Sequence, residues 1–135
     1  MDMQLELVGL PVTDVDRAKA FYEQAGFDTD QDHSAGDAFR VVQVTPPGSS
    51  CSVSFGIGMP QAAAPVMGLH LVVTDIEAAH EDLSRRGIEI SEIFHFGAEG
   101  QVAGPHPERQ DYGSFASFSD PDGNTWLLQE IRSRA

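Results

Sequence analysis

An α+β fold of two tandem βαβββ modules is the architecture this sequence predicts, and an internal repeat is the first observation behind it. Leu10-Pro11-Val12-Thr13-Asp14-Val15-Asp16-Arg17-Ala18 returns as Leu71-Val72-Val73-Thr74-Asp75-Ile76-Glu77-Ala78-Ala79. The pairs Asp14/Asp75, Ala18/Ala79 and Gly26/Gly87 are each 61 positions apart, so no gap interrupts the match. Second, each copy carries the same signals in the same order: an apolar strand, an Asp suited to cap a helix, and a Gly suited to end it. Third, short apolar runs separated by turn residues follow each helix, as strands do. Two such modules packed face to face would enclose a cleft between curved mixed sheets, which places a site before its chemistry is known.

Residues 4–12 are predicted as a strand. Asp14 caps a helix running to about Ala25, with Ala18, Phe21, Tyr22 and Ala25 as its buried stripe, and Gly26 stops it. Strands follow over 27–32, 38–45 and 51–58, the last two separated by Pro46-Pro47-Gly48-Ser49-Ser50. The 59–67 segment has no periodicity and reads as a connector. Leu69 to Thr74 begins the second copy, a helix runs from Asp75 to about Arg86, and Ile88, Ile90 and Ile93 alternate as the next strand. Residues 95–111, rich in Gly and Pro, read as a long irregular loop, too irregular for a hairpin. Strands at 112–119 and 124–131 close the chain around Asp120-Pro121-Asp122-Gly123, a strong turn signal.

At 135 residues the chain is one domain's worth of protein, divided as module one over 4–58, connector over 59–67 and module two over 68–132. No apolar run approaches the roughly 20 residues of a membrane span. The N-terminus lacks the basic start and apolar block of a secretion signal. The lone Cys51 forms no intrachain disulfide and reads as a quiet strand residue. Together these lead us to expect a cytoplasmic protein. A net charge of −13 without any Lys/Arg cluster argues against nucleic acid. That charge favours cationic ligands, or simply solubility.

The segments Val12-Thr13-Asp14, Phe21-Tyr22, Gly26-Phe27, Val73-Thr74-Asp75, Gly87-Ile88 and Asp120-Pro121-Asp122-Gly123-Asn124 span almost the whole chain. In them the sequence resembles the vicinal oxygen chelate superfamily, which includes glyoxalase I, extradiol dioxygenases, fosfomycin resistance enzymes and bleomycin-sequestering proteins. The resemblance implies the glyoxalase/bleomycin resistance fold and a homodimer in which modules of two chains share a sheet. Enzymes of the family place metal ligands on the first and last strand of each module. The matching positions here are Leu7, Gly68 and Leu127, with Ser52 and Ser54 on the remaining strand. A divalent metal needs three or four imidazole, carboxylate or thiolate donors at about 2.0–2.3 Å, and these side chains supply none. No metal and no cofactor are therefore expected.

Strand alternation puts His70 on the side of Gly68, and Gln129 on the side of Leu127. Leu7, Leu127, His70 and Gln129 thus become candidate ligand-binding residues, with Phe96 and Phe115 as aromatic walls. Of the pairs Phe94/Phe96 and Phe115/Phe118, each is expected to send one ring inward. His106, Arg109 and Tyr112, in the long loop, would donate hydrogen bonds at the cleft mouth. Trp126 and Glu130 should face away from it, while Asp14, Asp16, Asp75 and Glu77 read as first-turn acids favoured by the helix dipole.

Three functional readings follow, the first being the one the sequence favours. In one, the protein binds a hydrophobic or cationic small molecule in the inter-module cleft without metal, as an antibiotic-sequestering relative would. In the other it is a glyoxalase-like lyase or isomerase, using a displaced metal site or His70 as acid/base. A purely structural partner protein, its cleft filled by side chains, is the third class.

Overall fold

A computed structural model describes all 135 residues. They form two compact units, Met1–Val66 with Asp120–Asn124, and Met67–Ser119 with Thr125–Ala135. No helix is long and apolar enough to cross a membrane.

The first unit contains β1 (Leu7–Gly9), α1 (Val15–Gln24), β2 (Asp28–Ser34), β3 (Arg40–Thr45) and β4 (Ser52–Ile57), in a mixed sheet of order β1-β4-β3-β2. β1 runs parallel to β4, and the other pairs are antiparallel. Asp14 adopts extended backbone and its carboxylate accepts the Arg17 N–H at 3.1 Å. Gly26, at φ +96°, reverses the chain after the helix, in a conformation that costs glycine little. The helix lays Val15, Ala18 and Tyr22 on β4 and β3. The Tyr22 ring lies 5.8 Å from Phe55 and 5.2 Å from Phe27, and Val42, Val44 and Val53 complete that core. Tyr22 donates its hydroxyl to Asp120 Oδ2 at 2.7 Å, inside the same core. Outside it, Asp32 bridges Lys19 of the helix and Arg40 of β3, whose hydrogen bonds hold the Asp32 carboxyl well below the usual range.

The second unit contains β5 (Leu69–Val73), α2 (Ile76–Arg85), β6 (Phe94–Gly97), β7 (Gly100–Ala103), β8 (Phe115–Ser119) and β9 (Thr125–Glu130), in order β5-β9-β8-β6-β7. β5 is parallel to β9, as β1 is to β4. Asp75 caps α2 by accepting the N–H groups of Glu77 and Ala78. Ile76, Leu83, Ile88, Phe118, Trp126, Leu128 and Ile131 are its buried apolar set. Trp126 stacks on Phe118 at 6.1 Å with 5° between planes.

Three local expectations need correction. The strand predicted from Ile88, Ile90 and Ile93 does not form; Ile88 instead closes the helix end, its N–H bonded to Leu83 C=O at 3.1 Å. The next strand starts at Phe94, and the residues read as one irregular loop contain the β6–β7 hairpin, joined by the two-residue turn Ala98-Glu99. β1 is also much shorter than 4–12.

Candidate functional site

Each sheet has one face under its own helix and one face that this helix leaves uncovered. In the second unit β9 sorts its side chains strictly. Trp126, Leu128 and Glu130 are buried on the α2 side, where Glu130 Oε2 accepts the Ile76 N–H at 2.9 Å. Thr125, Leu127 and Gln129 point the other way. Register then adds neighbours to that uncovered face. His70 and Ser117 flank Leu127, and Val72 and Phe115 flank Gln129. Phe94 pairs with Phe115, and Phe96 follows it two residues on.

The three phenylalanines form one cluster. Phe94 stacks on Phe115 at 5.7 Å, while Phe96 meets Phe115 at 5.5 Å and Phe94 at 5.8 Å edge-on. Phe96 is 60% exposed and His70 and Val72 are also exposed, so this is an apolar surface with an imidazole at one side. The expectation of one inward ring per pair is thus half right. Phe118 turns away, but Phe94 and Phe96, two residues apart, share the face. Phe94 and Val72 were missed as site candidates although the same alternation could have found them.

Gln129 donates from Nε2 to the Tyr112 carbonyl at 3.3 Å, which brings the Tyr112 backbone to the end of this face. The Tyr112 ring is exposed, and its hydroxyl accepts from Arg134 Nη2 at 3.5 Å. The other loop candidates are occupied elsewhere. Arg109 reaches the helix side of the sheet, donating Nε to Glu130 Oε1 at 2.9 Å, Nη2 to Glu130 Oε2, and Nη1 to Glu77 at 2.7 Å. These bonds hold the fully buried Glu130 carboxyl below the ordinary glutamate range and the Arg109 guanidinium above its own. They also fix a loop in which Arg109 (φ +51°) and Tyr112 (φ +68°) are both left-handed, a strain of about 1 kcal/mol or more for each. His106 organises the same loop, its Nδ1 accepting the Glu108 N–H at 3.1 Å, while His95 Nδ1 bonds the Gly104 carbonyl at 2.7 Å.

Leu7 belongs to the first sheet, beside Ser52. Its companions on the face away from α1 are Gly9, Gln43, Ser54 and Gly56, joined by register. Ser52 Oγ accepts from Gln43 Nε2 at 3.3 Å and lies 2.6 Å from Thr45 Oγ1.

At the positions where family enzymes hold a metal, Leu7 and Leu127 offer hydrocarbon and Gly68 no side chain at all. No group of three or more His, Cys, Asp or Glu side chains converges anywhere to hold an ion. The residues present do not fit a family-type metal centre.

Two units, each with one helix on a mixed sheet of four or five strands, define a class of proteins in which chemistry varies while the frame persists. Within that class a profile of the Glyoxalase/Bleomycin resistance protein/Dioxygenase superfamily matches residues 4–128, and the chain belongs to that superfamily. It is similar to TnmS3, an antibiotic binding protein from Streptomyces sp. CB03234, with 30% identity, a TM-score of 0.71, and coverage of 96% of this chain and 97% of that one. A glyoxalase/bleomycin resistance protein from the same organism is 31% identical with a TM-score of 0.68, over 94% of this chain and all of that one. The Bacillus subtilis protein YetH is 29% identical over 133 residues, 96% of this chain and 100% of that protein.

Proposed function

We propose that this is a metal-independent small-molecule-binding protein that holds a hydrophobic or cationic compound against the sheet face of His70, Phe96, Phe115, Leu127 and Gln129, with antibiotic sequestration as its role. The observation that carries this reading is the Phe94–Phe96–Phe115 cluster, beside His70 and Gln129, on a face its own helix leaves uncovered. Aromatic and aliphatic walls with a few polar groups are the usual build of a small-molecule site. The similarity to an antibiotic binding protein supports it, and the hydrocarbon at Leu7 and Leu127 supports metal independence. A cytoplasmic homodimer is part of the same proposal, and sedimentation as a monomer at micromolar concentration would remove the dimer from it.

Calorimetric titration of the full chain with a panel of hydrophobic antibiotics, before and after chelator treatment, tests the reading. We expect saturable binding that chelator leaves unchanged and that Phe115→Ala weakens about tenfold or more. No saturable binding, or binding lost with chelator and restored by Zn²⁺, would sink it. The exposed place of His70 on this face also supports a second reading, lyase or isomerase chemistry with His70 as acid/base. Turnover of a bound compound, abolished by His70→Ala while binding persists, would favour that alternative.

A further inference from the structure

Gln129 sits on the second sheet's uncovered face between Val72 of β5 and Phe115 of β8. Val72 is exposed, Phe115 is half-buried, and Phe96 meets the Phe115 ring at 5.5 Å. The side-chain amide is therefore a polar edge set among hydrocarbon.

Which end of that amide looks outward follows from Tyr112. The Tyr112 backbone is clamped on both sides: its N–H donates to the Glu130 carbonyl at 2.8 Å, and its carbonyl accepts from Gln129 Nε2 at 3.3 Å. A carbonyl only accepts, so the amide nitrogen has to face it and Oε1 cannot take its place. Tyr112 is held at φ +68°, a strained conformation that keeps this carbonyl where Gln129 meets it. Oε1 is left as an acceptor that reaches the surface, since Asp122 Oδ2 is the one buried side-chain oxygen or nitrogen without a partner.

A flat aromatic compound lying over Phe115 and Phe96 covers this amide edge. Where the compound presents hydrocarbon to it, Oε1 is stripped of water and receives nothing in return. Where the compound presents an O–H, a hydrogen bond forms in apolar surroundings, in which it counts for more. The second Nε2–H is open as well, and a hydroxyl both donates and accepts, so a hydroxyl suits the edge better than an ether or a bare C–H. Sites that hydrogen-bond a hydroxyl discriminate strongly against the analogue that lacks it.

Resting on the sheet-face reading above, we propose that Gln129 is the specificity-determining residue of that face and that the ligand class is phenolic: an aromatic compound with a ring hydroxyl donating to Gln129 Oε1.

The test is a titration of the isotope-labelled full chain with β-naphthol and with its methyl ether, which keeps the rings and removes the donor. We expect β-naphthol to saturate, to shift the Gln129 side-chain amide signal, and to bind about tenfold tighter than the ether. Gln129→Met has a side chain of the same length without the amide acceptor, and should bring the two ligands to within about twofold. Gln129→Glu keeps an outward acceptor and should keep the preference. Equal binding of β-naphthol and its ether by the parent overturns the inference and leaves the sheet-face reading standing. Failure of both to saturate removes the inference together with that reading. A preference that survives in Gln129→Met also overturns the inference, because another group then reads the hydroxyl.

Discussion

The two modules agree on their helix side and part company on the other. Ala18 N–H bonds Asp14 C=O as Ala79 bonds Asp75, Gly26 bonds Glu23 as Gly87 bonds Ser84, and Phe27 bonds Tyr22 as Ile88 bonds Leu83. Each bond recurs 61 residues later. The uncovered faces differ. The first sheet carries Leu7, Gly9, Val41, Gln43, Ser52, Ser54 and Gly56, without an aromatic ring; the second carries His70, Leu127 and Gln129 with Phe96 and Phe115, packed over the buried Phe94. Caps and helix packing fix a fold, and a duplicated fold keeps them. A face that carries no helix is held by no such packing, and here the two uncovered faces differ in chemistry.

The sharpest way to break the comparison is at Glu130. Val53 pairs with Val8 as Trp126 pairs with Leu69, which sets Ile57 of the first module against Glu130 of the second. One module thus ends its last strand in hydrocarbon, the other in a carboxylate with no exposure, matched by Arg109. Arg109→Met should cost about 3–5 kcal/mol in urea denaturation at neutral pH, since it strands a buried charge. Arg109→Met with Glu130→Leu should recover much of that loss, because the double change imitates the first module. The pH dependence also reverses. In the parent, Glu130 titrates in the folded state below the ordinary value of 4.5, so the stability it contributes is full above about pH 4.5 and lost as pH falls through the lower folded value. In Arg109→Met burial raises it instead, so acidification should restore stability from this group. A denaturation series from pH 7 to 3 checks both signs.

That ion pair was not legible in the sequence, and the reason is physical. Arg109 and Glu130 lie 21 residues apart in chain segments of different kinds, and nothing local announces a pairing decided by tertiary packing. The helices were legible because their ends are local chemistry: Asp14 and Asp75 accept their own N–H groups, and Gly26 and Gly87 take positive φ. The turn at residues 120–123 followed from equally local rules, and Trp126 on the α2 side followed from alternation with Leu127. The β6–β7 hairpin was hidden because Gly97 and Gly100, which flank its two-residue turn, look the same in sequence as loop-breaking glycines. Strand alternation put His70 with Gly68 and Gln129 with Leu127, the positions of Gly68 and Leu127 coming from the family resemblance, and the register joins His70 to Leu127 and sets Phe115 beside Gln129. Alternation misjudged Phe94 only through the parity of a two-residue step.

A smaller difference lies in the cores. Tyr22 and Leu83 occupy the same repeat position, but Tyr22 sends its hydroxyl to Asp120, whose Oδ2 otherwise holds only the Asn124 side chain at 2.8 Å. Tyr22→Phe leaves the packing intact and removes one donor from a carboxylate that is 5% exposed. The expected cost is about 1–2 kcal/mol, read as a lower urea midpoint with unchanged slope. A neutral outcome would mean that the Asn124 amide and the backbone N–H groups of Asp122 and Asn124, both 2.9 Å from Asp120 Oδ1, suffice for that turn.

The smallest expected effect addresses whether the repeat is equal in energy as well as geometry. Asp14 accepts one backbone N–H, at 3.1 Å, whereas Asp75 accepts two, at 3.1 and 3.2 Å, with Arg109 3.8 Å away. Capping by Asp is worth about 1 kcal/mol, so Asp14→Ala and Asp75→Ala should each lose about that much. Asp75→Ala should lose a few tenths more through its second N–H and nearby cation. Denaturation of the two variants side by side measures the difference directly. Equal losses would show that the extra N–H and the cation add nothing at an exposed helix start. A larger loss at Asp14 would instead place the stronger cap on α1, where the Asp14 carboxylate accepts only the Arg17 N–H.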